Sequence, residues 1–269
     1  MNPPPPRLVP QAGPAAWSGS ALSPADWMLP AGAEAAAELQ EADAAQRPRL
    51  TALLRQVAER LDEGRGFCVL RGLRLDHLAE PEAALLALGR LFGRPLQGPV
   101  QAVQAGFRAD PADAVMLLCL ASPAEGAVSL VSAAALHNAL LKADRAALAV
   151  LHRDFPYGAA AAMPIFASSE GAFLSHVDRS AMAGARLDPA QQASLATLEA
   201  AAAAPGQALA LPLHAGDLLL VNPRLVWFQV AADAVALRRL GLNRPGPRSL
   251  PPAFRQTLGA ESGPPMMGG

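Results

Sequence analysis

The chain has 269 residues, 52% of them hydrophobic and 17% charged, a globular composition long enough to bury a sizeable core. With 22 basic residues against 23 acidic ones the formal charge is −1, so a general polyanion-binding surface, and with it nucleic acid, is not expected. The two cysteines, Cys68 and Cys119, form no C-x-x-C pair and sit in apolar runs, which excludes a thiolate zinc site and points to buried, inert thiols.

In chain order, the start MNPPPPRLVP has no apolar core of a secretory signal, and no apolar stretch reaches membrane-spanning length. A soluble, cytoplasmic protein with no membrane partner is the expectation. Residues 1–30 read as an irregular arm rich in Pro, Gly, Ser and Ala, held to the body by Trp17 and Trp27, with Ser23 as N-cap before Pro24. Leu50, Leu53, Leu54, Val57 and Leu61 recur at helical spacing over 48–62, closed by Gly64 and Gly66. GFCVLRGL (66–73) reads as a buried strand, and 81–92 as a second amphipathic helix. Strands are expected at 114–120, 128–132, 208–213, 217–222, 225–230 and 236–242, with helices at 132–141 and 189–203, the latter capped by Asp188 with Pro189 behind it. GPPMMGG closes the chain as a flexible tail over 259–269, leaving 31–258 as a single domain.

Several segments, in order, resemble one family. GPAAWSGSAL with a tryptophan ten residues on is similar to the amino-terminal arm of the bacterial TauD/TfdA proteins, and GFCVLRGL to their GFxVLRGL strand. ADPADAVMLLCLASPAEGAVSLVSAAALHNALL resembles the family's HTDxxDxVxLLCLxxAxxGGxSxxVSAxxxHNAL. LHAGDLLLVNPRLVWFQ resembles xxPGDxxxxNNxxxxHxR, and RRLGLNRPGPRSLPPAF resembles RLWLxxPxxRPLPPAF. On these motifs the chain is identified as a member of the TauD/TfdA family of Fe(II)- and 2-oxoglutarate-dependent oxygenases. The resemblance implies an α+β fold, a double-stranded β-helix (jelly roll) decorated with helices.

The family's chemistry needs two histidines and a carboxylate on one face of Fe(II), leaving three positions open for 2-oxoglutarate and dioxygen. Carried onto this chain, the H-x-D motif falls on Arg108, Ala109 and Asp110, so the carboxylate is kept and the first histidine is replaced by Arg108. The distal histidine falls on Phe228, beside Trp227. Neither a guanidinium nor a benzyl ring ligates iron. His77, His137, His152, His176 and His214 all stand away from ligand positions in this alignment. The resemblance also implies Arg239 as the guanidinium for the distal carboxylate of 2-oxoglutarate, with Arg238 able to exchange roles through a one-residue slip, and Ser129 as a hydroxyl facing the same carboxylate.

Alternation along a strand places Arg108 and Asp110 on one face, so Arg108 could fill the vacated metal position and neutralise Asp110; the alternative is Arg108 in solvent. Three functional readings follow. One is a catalytically deficient homologue that binds a small organic acid or serves as a regulatory partner, with a homodimer among the expected assemblies. Another is an active oxygenase whose ligand set is Asp110 with His176 or His214. The last is metal-free chemistry with Asp110 as base beside Arg108.

Overall fold

A computed structural model describes residues 8–39, 41, 46–96, 101–102, 106–124, 126–158, 161–169, 171–231, 236–244, 250–251 and 253–254. The tail expected over 259–269 lies outside them. Among the described residues the strands are β1 (Met28–Pro30), β2 (Phe67–Arg71), β3 (Arg94–Pro95), β4 (Gln101–Ala102), β5 (Gly106–Arg108), β6 (Ala114–Cys119), β7 (Val128–Ser132), β8 (Asp154–Tyr157), β9 (Ala161–Pro164), β10 (Phe166–Ser169), β11 (Ala172–Ser175), β12 (Leu209–Ala210), β13 (Leu218–Val221), β14 (Val226–Val230) and β15 (Leu237–Asn243). The helices are α1 (Pro24–Trp27), α2 (Ala33–Glu38), α3 (Pro48–Asp62), α4 (Pro81–Phe92), α5 (Ala133–Ala143), α6 (Arg145–Leu151) and α7 (Pro189–Ala202).

Local chemistry sets the helix ends. α1, α3, α4 and α7 each carry proline in the first turn, where its missing N–H costs nothing. Asp188 accepts a hydrogen bond from the Gln191 amide (2.7 Å) while the Gln191 side chain accepts one from the Asp188 amide (3.0 Å), a reciprocal cap on α7. α3 ends where Gly66 turns back at φ +83° and donates to the Arg60 carbonyl (3.0 Å), a backbone conformation that favours glycine.

The larger sheet runs β1-β2-β13-β6-β15-β3, with β4 also on β15; the smaller runs β12-β7-β14-β5. The chain crosses between them, β5, β7 and β14 lying in the smaller sheet and β6, β13 and β15 in the larger. Every pairing in both is antiparallel except β1 with β2. Side-chain alternation then decides three layers of core. Val115, Leu117 and Cys119 of β6 meet Leu219 and Val221 of β13 and, from the smaller sheet, Leu130, Val226, Phe228 and Val230. Ala114, Met116 and Leu118 point the other way, onto the Leu50–Leu61 stripe of α3 and onto Leu85 and Leu88 of α4. Outside the smaller sheet, Val131 and Trp227 pack with α5, α6 and α7. This is an α+β architecture in which two facing sheets carry helices on their outer faces.

The expected helices over 48–62 and 81–92 form as read, and all five residues of the first stripe are buried. Trp17 and Trp27 are both buried, Trp17 donating its Nε1–H to the Arg65 carbonyl (2.9 Å) and lying 5.2 Å from the Phe67 ring. The strand expected over 208–213 contracts to Leu209–Ala210, because Pro212 has no N–H for the ladder and Leu213 donates locally to the Leu211 carbonyl instead. Two hairpins between 154 and 175, β8 with β9 and β10 with β11, had no counterpart in the periodicity. No helix among the described residues is long and apolar enough to cross a membrane.

Candidate functional site

Asp110 stands just beyond β5, which ends at Arg108, and the Ala109 amide before it donates to the Val177 carbonyl (2.7 Å). Its side chain is 2% exposed. Both of its oxygens are taken by one group: Arg239 donates from Nε to Oδ2 and from Nη2 to Oδ1. The forked guanidinium suits a carboxylate in this two-bond geometry. Alternation along β15 puts Arg239 on the inner face with Leu237, while Leu240 and Leu242 join the helix-side core. Arg238 therefore turns outward and bonds Glu82 of α4 through Nε (2.5 Å), so Arg239, and not its neighbour, is the inward arginine.

Gly241 makes the inner pair sterically possible. A Cβ built on it would lie 2.9 Å from Leu96 Cδ1, 3.2 Å from Arg239 Nη2 and 3.5 Å from Ala112 Cβ. A side chain at position 241 would crowd the guanidinium where it reaches Asp110.

The structure brings Arg108 and Phe228 together. They are direct partners across β5 and β14, so the two residues standing where histidines were expected share one face. Phe228 is fully buried among Leu130, Val226 and Val230. Trp227, on the opposite face, stacks on Phe166 at 5.7 Å and donates its Nε1–H to Ser175 Oγ (3.0 Å). Arg108 is half-buried, and its backbone pairs with that of Asp178 in an isolated antiparallel β-bridge. The sequence left Arg108 either neutralising Asp110 from within or standing in solvent; Arg239 supplies a guanidinium bonded to both carboxylate oxygens, and Arg108 is half-buried. The strand ladder ends before Asp110, and the carboxylate turns toward β15.

Ser129 is corrected. It pairs with Gln229 and Ala210, whereas its neighbour Leu130 pairs with Phe228. A one-residue step reverses the face, so Ser129 shares the outer side with the exposed Gln229 and does not face the interior where Arg239 lies.

Among the histidines, His176 comes nearest to the site in register. The bridge between Arg108 and Asp178, continued by the Ala109–Val177 hydrogen bond, runs the segment 176–178 antiparallel to 108–110. His176 is buried against the Tyr157 ring, and burial pushes its imidazole down to about 4 despite the nearby Asp178. His137 and His152 form a separate pair, Nε2 to Nε2 at 3.2 Å, with desolvation again holding both below the ordinary range. His214 is exposed before Asp217, whose carboxylate is itself held by Arg71 (Nη2 to Oδ2 at 2.6 Å). Among the described residues no group of three or more His, Cys, Asp or Glu side chains is placed so that it could hold a metal ion.

These residues do not fit Fe(II). The one carboxylate of the motif has both oxygens committed to a cation, and beside it stand another cation and a benzyl ring, none of which donates a lone pair to a metal. Nor do they fit 2-oxoglutarate as the resemblance implies, since the fork of Arg239 is already filled and Ser129 is on the far side of its sheet. What the sequence reading missed is that its metal residue and its cosubstrate residue bind each other. A signal was present: RRLGL departs from the family's RLWL at Gly241, the position where a side chain would crowd the guanidinium.

No family model matches the chain, and no curated protein matches it in sequence. Solved structures do. An asparagine oxygenase in complex with Fe(II), 2S,3S-3-hydroxyasparagine and succinate superposes with a TM-score of 0.58 at 18% identity, covering 80% of this chain and 93% of that one. The non-heme iron oxygenase OrfP, in complex with Fe and alpha-ketoglutaric acid, superposes with a TM-score of 0.58 at 14% identity, over 81% of this chain and 94% of that one. The chain has the TauD-like fold of these non-heme iron oxygenases.

Proposed function

With that oxygenase fold as premise, we propose that this chain is a catalytically deficient homologue, no longer an Fe(II)/2-oxoglutarate enzyme, that works by binding a partner. We read its two facing sheets as the double-stranded β-helix. The observation that carries the proposal is the buried pair of Asp110 and Arg239. In the resemblance one of these holds metal and the other the cosubstrate, and here each satisfies the other. A buried carboxylate must be paired or protonated, and a guanidinium does that without metal. The same pair weighs against a free organic acid as the ligand at Arg239.

The test is anaerobic titration with Fe(II) and 2-oxoglutarate followed by absorption in the visible charge-transfer region, and, in a separate assay in air, succinate release over a panel of small organic substrates. We expect neither a band nor succinate above background. A band that saturates at micromolar iron defeats the proposal. The rival reading, an active enzyme built on Asp110 and His176, has the antiparallel register of 108–110 with 176–178 in its favour. It requires iron binding that disappears in His176→Ala, so the same titration on that variant decides it.

A further inference from the structure

His137 lies on the core-facing side of α5, and His152 closes α6 at its C-terminal cap. The two helices meet so that the Nε2 atoms of these rings are 3.2 Å apart. The ring centres are 5.3 Å apart and the planes cross at 86°, so the two nitrogens stand between the rings and face each other. His137 is 1% exposed, whereas His152 is partly exposed and gives the pair an edge toward solvent. Phe166 and Phe173 complete the surround, their ring centres 5.4 and 5.5 Å from that of His137. We infer that His137 and His152 form a two-imidazole site for a soft monovalent metal ion, Cu(I), which takes the place of the hydrogen bond that now joins them.

For packing alone an apolar side chain would serve better at position 137. Its Nδ1 is buried with no hydrogen-bond partner among the described residues, and the amide of the adjacent Asn138 is committed at both ends to the Gln11 backbone, each bond 2.7 Å. What the ring offers is Nε2. Desolvation holds both imidazoles below their ordinary range, His152 at about 4, so both rings are neutral at pH 7 and each can present a lone pair.

The ion class follows from what the surround withholds. Divalent ions such as Zn(II) take four or more donors, and among the described residues no third His, Cys, Asp or Glu is placed to complete such a set with this pair. Cu(I) has a filled d shell and is satisfied by two nitrogens in line, and burying one charge among phenyl rings costs less than burying two. Two metal–nitrogen bonds of about 2 Å laid end to end span about 4 Å, so the rings need to part by less than an ångström from their present 3.2 Å. On binding, the N–H···N hydrogen bond breaks and two N–Cu bonds form. The hydrogen that occupied one Nε2 moves to Nδ1 of the same ring by exchange with solvent, so no proton is released and copper keeps its oxidation state. The site is remote in sequence from Asp110 and Arg239 and uses neither of them.

The experiment is competition under argon between the full chain and a chromophoric Cu(I) chelator, with the bound ion then read by X-ray absorption. The parent protein is expected to withdraw about one Cu(I) per chain and to show two nitrogen neighbours and no sulfur. His152→Gln, at the partly exposed position, should weaken binding at least about tenfold, and so should His137→Gln. Cys68→Ala/Cys119→Ala should bind as the parent does, since both thiols are fully buried in other clusters of the core. X-ray absorption on the parent protein needs no variant and decides the point by itself should the histidine variants not fold. Failure to withdraw copper, sulfur bonded to the ion, binding that survives His152→Gln, or displacement of Cu(I) by Zn(II) would each overturn the proposal.

Discussion

Replacing Arg239 by methionine keeps a long unbranched side chain in the slot beside Gly241 but withdraws both donors from Asp110. The carboxylate is then 2% exposed and has lost both of these hydrogen bonds. Removing one partner of a buried pair costs about 3–5 kcal/mol, most of it the penalty on the charge left behind. For a chain of this size that corresponds to a fall in melting temperature of about 10 °C. Asp110→Leu takes the carboxylate away from the buried guanidinium and is expected to cost a similar amount. The double variant Asp110→Leu/Arg239→Met removes both charges of the pair and places two apolar groups against a core that already holds Ala112 and Leu117. It should fall within about 1 kcal/mol of the parent or exceed it. Urea denaturation at pH 7.5 on all four proteins closes the cycle, and the coupling should exceed either single loss. The exposed pair of Arg49 and Glu34, 67% and 74% exposed, serves as a control, and breaking it should lie within error. If Arg239→Met alone unfolds at the parent's urea concentration, or if the double variant is as weak as the sum of the singles, the pair is not the buried, mutually dependent unit described above.

Acid should destabilise the protein through His176. Its folded value of about 4 lies below the ordinary imidazole range, so its neutral form is the one folding favours. That stability is fully present above about pH 6.5 and is lost as pH falls toward 4, at about 1.4 kcal/mol per pH unit. Urea midpoints measured from pH 7 to 4 should slope less steeply in His176→Gln, and equal slopes would refute the assignment. Gly241→Ala puts a methyl group 2.9 Å from Leu96 Cδ1 and 3.2 Å from Arg239 Nη2, and we expect a loss of about 1–3 kcal/mol by urea denaturation. That loss should shrink when Arg239→Met is also present; if it does not, the slot is not shaped for the guanidinium. Cys68 and Cys119 are buried, and desolvation pushes their thiols up to about 12 and about 11. A disulfide reagent at pH 8 should therefore label neither in the native protein and both in urea, and rapid native labelling would contradict their burial.

Much of the architecture could be read before any coordinates. The α3 stripe from Leu50 to Leu61 is helical at 3.6-residue spacing, and its five apolar positions have one economical fate, a shared buried face. Asp188 with Gln191 three residues on, and Pro189 between them, mark a helix start by hydrogen-bond chemistry alone. The short apolar runs that became β6, β7, β13, β14 and β15 were placed within two residues, because turn residues bound each of them. The hairpins of 154–175 were not legible: Phe155, Met163, Phe166 and Leu174 are buried by contact with α5 and Trp227, and nothing local to the segment announces that partner.

The sequence alone determined which residues were available for chemistry: Asp110 kept, Arg108 and Phe228 where histidines would have to be, Arg239 inside a strand. Residue identity settles whether a side chain can donate to a metal, and no fold restores a missing imidazole. Only the tertiary structure decided which of those residues meet. Asp110 and Arg239 are separated by 129 positions, and their union depends on β15 lying against β6 and on a one-residue choice of face that turns Arg239 inward and Arg238 toward Glu82, with no side chain at Gly241 to crowd the guanidinium. The same one-residue parity moved Ser129 out of the interior. Register and close approach are properties of strands brought together from distant parts of the chain, and no segment carries them by itself.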